Sequence, residues 1–418
     1  MNLFTIKNEQ IKTLLLSTLV ISILSACNGV GSSAATTGSS SKQAYGVGTD
    51  GQIYVSKDGN GWVKPELAGV ESTNKIVSLK CGSDICAMAT QDGLLVSNDF
   101  SNWNNTSGVN SKNHLKVSAA LYDVLVTSQK NNSVVVAVGA NGSIETVSLS
   151  ADNVKSSKMA LKAQDSLKTV NPTTANLYNV SSINGRYLVL GANGTLLQSL
   201  DNATTWTQVA TGTNSNLYSI SCNTNSLTTC IAVGSDGVAL TIQDTGFNND
   251  LSVKSNIIGK DILYAVTYLK SQARFVAAGS NATIKYSDDN GNTWVNADIP
   301  TTINDKAYDI YNIVYNGTEL IANTALYNEA GQKPEVSNQF LISQDGKNWT
   351  INTLAEQGQV AKDGESTGTF ATIGGLVGGV YDNYKGGEGT SGKDSWTKIG
   401  HLIDKVLSVA KLVFLFFA

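Results

Sequence analysis

The chain has 418 residues, with 29 lysines and arginines against 33 aspartates and glutamates, a formal net charge of −4. No basic run occurs before the C-terminal tail, which excludes a nucleic-acid partner, because backbone phosphates demand a basic patch. Only four prolines and no heptad repeat are present, which speaks against a helical solenoid.

At the N-terminus, Lys7 and Lys12 precede the apolar run "LLLSTLVISIL", followed by "LSAC" at Leu24–Cys27. This order reads as a targeting segment, and the run is short for a membrane-spanning helix. A small pair before a cysteine resembles the bacterial lipoprotein signal. The resemblance implies removal of residues 1–26 and lipidation of Cys27; the alternative is an ordinary secretory signal in which Cys27 is incidental. Asn28 rather than aspartate follows, which in Gram-negative lipoproteins implies the outer membrane, facing the periplasm or the exterior. Residues 27–43 are small and polar, the composition of a flexible tether.

From residue 44 the chain repeats. "SKDGNGW" at Ser56–Trp62, "SNDFSNW" at Ser97–Trp103, "SLDNATTW" at Ser199–Trp206, "SDDNGNTW" at Ser287–Trp294 and "SQDGKNW" at Ser343–Trp349 share one pattern. Two of the intervals between these tryptophans are about twice the shortest. "VAVGANGSIETVSLSADN" (136–153) and "IAVGSDGVALTIQDTGFN" (231–248) fill them with degraded copies at Ser148 and Thr241, making seven units. One unit, "LYNVSSINGRYLVLGANGTLLQSLDNATTWTQVA" (177–210), holds four short apolar runs broken by turn signals, so it predicts the strands LYNVSS, RYLVLG, TLLQSL and TWTQVA. Seven such units predict an all-β, seven-bladed β-propeller of four-stranded antiparallel blades over residues 44–382. The first unit lacks its first strand. "TFATI", within 368–381, resembles "LYSIS" and is expected to supply it.

The repeated pattern is identified as the Asp-box, or bacterial neuraminidase repeat, and the units resemble blades of sialidase-type and photosystem-assembly-type propellers over about residues 44–352. The resemblance implies that Asp58, Asp99, Asp201, Asp289 and Asp345 are structural turn residues on the blade periphery. Trp62, Trp103, Trp206, Trp294 and Trp349 are then packing residues that open the fourth strand, and truncating a buried one costs about 3–5 kcal/mol. "DNGNT" at 289–293 carries oxygen atoms suited to calcium but not EF-hand spacing, and is better read as the box turn.

Besides Cys27 there are four cysteines. Cys81 and Cys86, like Cys222 and Cys230, bracket the turn between a first and a second strand, which suggests two hairpin disulfides, Cys81–Cys86 and Cys222–Cys230, in an oxidising compartment. The alternative is four reduced, buried thiols.

Sialidases hold their substrate with three arginines. This chain has two, Arg186 and Arg274, at equivalent repeat positions, so that reading fails and repeat structure explains them. His114 and His401 lack metal-ligand spacing. No nucleophile, metal or phosphate-loop motif occurs, and no cofactor is expected. The expected function is a non-catalytic, membrane-anchored scaffold or assembly factor that binds proteins of the cell envelope. The alternative is a carbohydrate-active hydrolase or lyase using a carboxylate pair in the funnel.

After Trp349, residues 383–394 form a glycine-rich linker. In 395–418, Trp396, Ile399, Ile403, Val406, Leu407, Ala410 and Phe414 recur at helical spacing, with Lys398, His401, Lys405 and Ser408 opposite. This predicts an amphipathic C-terminal helix, docked on its own propeller or set against a membrane surface or a partner.

Overall fold

The computed structural model describes residues 44–47, 53–56, 76–81, 85–90, 93–98, 104–105, 119–128, 132–150, 168–223, 228–244, 250–315, 319–327 and 334–353. Cys27, the tether, Asp58, Trp62, Asp99, Trp103, both histidines, the closing segment 368–381, the linker and the C-terminal helix lie outside these residues. Among the described residues the regular structure is strand, with three single-turn 3-10 segments.

The strands form one two-stranded and six four-stranded antiparallel sheets, each taken in sequence order. The first sheet pairs β1 (Ala44–Val47) with β2 (Ile53–Ser56). The second holds β3 (Ile76–Cys81), β4 (Cys86–Thr90), β5 (Leu94–Ser97) and β6 (Asn104–Asn105). The third holds β7 (Leu121–Ser128), β8 (Asn132–Gly139), β9 (Ile144–Ser150) and β10 (Lys168–Val170). The fourth holds β11 (Leu177–Ile183), β12 (Arg186–Gly191), β13 (Leu196–Ser199) and β14 (Thr207–Gln208), so the unit read from sequence has its four strands in order, the last of them short. The fifth holds β15 (Leu217–Cys222), β16 (Thr229–Gly234), β17 (Val238–Asp244) and β18 (Leu251–Ile257). The sixth holds β19 (Leu263–Leu269), β20 (Arg274–Gly279), β21 (Thr283–Ser287) and β22 (Val295–Asn296). The seventh holds β23 (Ala307–Tyr315), β24 (Leu320–Tyr327), β25 (Pro334–Ser343) and β26 (Thr350–Thr353).

Sheets pack face to face in chain order. The first strand of each four-stranded sheet touches the first strand of the next, from β3 through β7, β11, β15 and β19 to β23. Second strands are therefore covered on both faces, and their sequences read as continuous apolar runs rather than alternating ones. RYLVLG and RFVAAG are buried at every position. Each interface is its own cluster, such as Val134, Val136, Val138, Val180, Val189 and Leu197 between the third and fourth sheets.

Every first strand of the six carries a β-bulge at the same place, between Ile76 and Ser78, Leu121 and Asp123, Leu177 and Asn179, Leu217 and Ser219, Leu263 and Ala265, and Ile310 and Asn312. A bulge bends the strand and re-aims one side chain. The re-aimed residue is Val77 and then five tyrosines. Four of the six second strands, β8, β12, β16 and β20, end on a glycine, where the chain entering the first strand crosses close over it. A Cβ on Gly234 would sit 1.8 Å from the Asn216 carbonyl oxygen.

Candidate functional site

The box turns are joints between sheets. Asp289 Oδ1 accepts from the Ser287 hydroxyl and the Thr293 amide, both at 2.8 Å, while Oδ2 accepts from the Thr293 hydroxyl at 2.6 Å. Asp201 accepts the same set from Ser199 and Thr205. Asp345 accepts from Ser343, the Lys347 amide, and the amide and side chain of Asn348. Desolvation pushes these carboxyls up, but the converging donors outweigh it and bring both Asp201 and Asp345 down to about 2. Trp294 Nε1 donates to the Gly291 carbonyl at 3.1 Å and Trp349 Nε1 to that of Gly346 at 3.2 Å.

The turn presses on the preceding sheet. A Cβ on Gly291 would meet Ile231 Cδ1 at 2.2 Å, and one on Gly346 would meet Val276 Cγ2 at 2.6 Å. Trp349 is buried, whereas Trp206 and Trp294 are half-buried against their clusters.

Arg186 and Arg274 are also joints, as their matched positions suggested. Arg186 reaches Gln198 in its own sheet and Asp244 in the next, the latter at 3.4 Å. Arg274 donates to Asp288 at 2.5 Å and to the Asp345 carbonyl of the next sheet, with its guanidinium 5.0 Å from the Tyr286 ring centre. Lys347 also contacts Asp288, at 3.1 Å. Cys222 and Cys230 form a disulfide at the end of their strand pair. Cys86 is disulfide-bonded too, and stands opposite Cys81 in the register.

The bulged tyrosines make one continuous arc. Ring centres of Tyr122 and Tyr178 are 6.4 Å apart, Tyr178 and Tyr218 5.5 Å, Tyr218 and Tyr264 6.1 Å, and Tyr264 and Tyr311 4.9 Å. These separations fit tilted or offset aromatic pairing. Burial raises the Tyr178 hydroxyl well above the ordinary tyrosine range, with the flanking Tyr218 and Tyr122 adding to it. Tyr311 donates to Asp309 Oδ2 at 3.2 Å, and Asn216 Nδ2 donates to the Tyr218 oxygen at 3.3 Å. The same capping residues accept from the turn of the preceding sheet: Asn216 Oδ1 from the Asn193 amide at 2.9 Å, Asp309 Oδ1 from the Asn281 amide at 2.8 Å. Beside the arc, Asp123 accepts from Ser78 at 2.8 Å, from Asn179 at 2.8 Å and from the Val180 amide at 3.1 Å, tying three sheets together. Burial raises its carboxyl, against the pull of Lys80 and these donors. The first-strand carboxylates are therefore held as inter-sheet ties.

Sequence reasoning missed the arc and Glu145. The repeated "LY" at the head of four units was the available signal for the arc. Glu145 is 1% exposed, faces the apolar cluster shared by the second and third sheets, and occupies the position that Leu197 holds in the next sheet. Burial pushes its carboxyl up to about 7, and its Oε2 has no hydrogen-bond partner among the described residues. Among those residues, no group of three or more histidines, cysteines or acids could hold a metal ion.

No family model matches the sequence, and no curated protein does. Solved structures match it at low identity. "YCF48 bound to D1 peptide" is 11% identical with a TM-score of 0.51, over 73% of this chain and 90% of that one. The chain is a β-propeller. YCF48 from Cyanidioschyzon merolae is 14% identical with a TM-score of 0.48, over 73% and 92%. The WD40 repeats of RRP9 are 11% identical with a TM-score of 0.49, over 73% and 87%. The six four-stranded sheets, the second to the seventh, are thus blades, with first strands nearest the axis, where the tyrosine arc lies.

Proposed function

We propose that this propeller is a non-catalytic scaffold or assembly factor that binds protein partners in the bacterial cell envelope. The observation that carries the reading is the innermost layer of the blades. Five tyrosines fill it, and its carboxylates Asp123 and Asp309 are engaged in hydrogen bonds between blades. A glycosidase needs two carboxyls free to act on one substrate, and carboxyls serving as ties are not free. Function then falls to the outer surfaces, as in contact with macromolecules. A propeller of the same fold, YCF48, has been solved bound to D1 peptide, an instance of the fold engaging a polypeptide.

On this reading the five box turns are Asp-boxes, seven blades close with the help of 368–381, and Cys27 carries the lipid. The anchor places the propeller on the outer membrane. Mass spectrometry of the mature N-terminus is expected to find residue 27 first and acylated; an unmodified Cys27 or cleavage elsewhere removes the anchor from the proposal. Affinity purification with in-cell cross-linking tests the binding reading. Specific envelope proteins are expected to be recovered with the full chain, and recovery of none overturns it.

A further inference from the structure

The outermost strand of the fifth blade differs from the rest. β18 has seven residues, while β6, β14 and β22 have two each, β10 three and β26 four. In the fourth and sixth blades, which carry a complete Ser-Asp-Trp box, the outer hairpin has two pairs. In the fifth, whose copy at Thr241 is degraded, β17 and β18 pair without interruption from Val238↔Ile257 to Asp244↔Leu251.

The phase of this ladder fixes which groups face outward. The Ile258 amide donates to the Gly237 carbonyl at 2.9 Å, so that pair is hydrogen-bonded. Bonded and non-bonded pairs alternate in antiparallel sheets. Asn256, Lys254 and Ser252 therefore turn their amides and carbonyls toward β17. Leu251, Val253, Ser255 and Ile257 turn theirs outward. No strand pairs with that edge among the described residues. An open, unbulged edge of this length is a template for another strand.

Side chains specify the occupant. Leu251 and Val253 are half-buried against the core cluster of the fourth and fifth blades, and Ile257 on the same face is 65% exposed. Lys254, exposed at the centre of the strand, has no carboxylate partner among the described residues. A second copy of this chain fits poorly. The register that joins all four outward residues, Leu251 with Ile257 and Val253 with Ser255, sets Lys254 directly against its own copy, and like charges facing across strands are destabilising.

We propose that β18 is a strand-addition site for an extended segment of a partner protein, with an acidic residue opposite Lys254 and apolar residues beside it covering Val253 and Ile257. This rests on the protein-binding reading and names its surface and partner chemistry.

Fluorescence anisotropy on the purified full chain tests it, using a labelled peptide of alternating valine and threonine with one central glutamate. Saturable binding is expected. Ser255→Pro removes an outward donor without touching the ladder to β17, and about tenfold weaker binding is expected from the lost hydrogen bond. The same peptide N-methylated at alternate amides leaves the protein unchanged, so it decides the matter if Ser255→Pro does not fold. Lys254→Glu should reverse the preference to a lysine-centred peptide. No saturable binding by the wild-type chain, equal affinity for the N-methylated peptide, or equal affinity for the two charge versions overturns the proposal. Envelope partners cross-linking equally to wild type and a folded Ser255→Pro would overturn strand addition while leaving the protein-binding reading intact.

Discussion

Glu145 shows how much one side chain can cost in a repeat built from leucines. Burial disfavours its charge and pushes the carboxyl up to about 7 in the fold, from the 4.5 of an exposed glutamate. The folded state thus holds a proton that the unfolded chain releases between those values. Stability falls as pH rises through that window, and the penalty is complete above it, on the order of 3 kcal/mol at most. Glu145→Leu, which copies Leu197, is expected to raise the melting temperature far more at pH 8 than at pH 5. An equal gain at both values would mean that the group is already neutral or paired. The box carboxylates behave in the opposite sense. Asp345 lies at about 2 in the fold against 3.8, so its contribution is present above 3.8 and is lost as pH falls toward 2. The melting-temperature gap between wild type and Asp345→Asn should close over that interval; a gap that persists below it would assign the effect to shape rather than charge. The Glu145 shift could not be read from sequence, because it depends on what the neighbouring blade places around the carboxyl, whereas the donors that lower Asp345, from Ser343, Lys347 and Asn348, all belong to its own box.

At the scale of elements, the box turns carry the joints between blades, and their tryptophans are not equivalent. Trp349 is 4% exposed within the cluster of the sixth and seventh blades, whereas Trp294 is half-buried. Trp349→Ala should therefore cost about 3–5 kcal/mol, with Trp294→Ala clearly below that range. Chemical denaturation of the two variants measures the order, and a larger loss at Trp294 would contradict the burial argument. Strand existence and order were legible because turn signals such as "NG" and "ANG" punctuate short apolar runs, and "LYNVSS", "RYLVLG" and "TLLQSL" all became strands. The length of the fourth strand was less legible. "TWTQVA" forms only Thr207–Gln208, with Trp206 packed against the cluster of the third and fourth blades, while the fifth blade extends β18 to seven residues. The arc was visible only as a repeated "LY". Alternation does not announce a bulge, so the side from which those tyrosines approach the axis required the register.

For the whole molecule the open question of the sequence is closure, and it is tested by where the chain is cut. Six blades begin with a bulged first strand, but β1 and β2 correspond to second and third strands, with no inner partner on β1 among the described residues. A propeller gains by joining its ends, because an unpaired inner strand edge leaves backbone groups unbonded and one face of the neighbouring cluster uncovered. If 368–381 supplies the missing strand, two truncations separate. Removing 395–418 takes away the amphipathic helix and the apolar end but leaves the closing strand, so the melting temperature should stay near that of the full chain. Removing 368–418 takes the strand as well, and should lower it sharply and speed hydrogen exchange in the first and second blades before the fifth and sixth. Equal stability of both truncations would show that the ring closes without this segment. A large loss from the shorter truncation alone would instead make the C-terminal helix part of the propeller's own packing, and would withdraw it as a contact for a membrane or a partner.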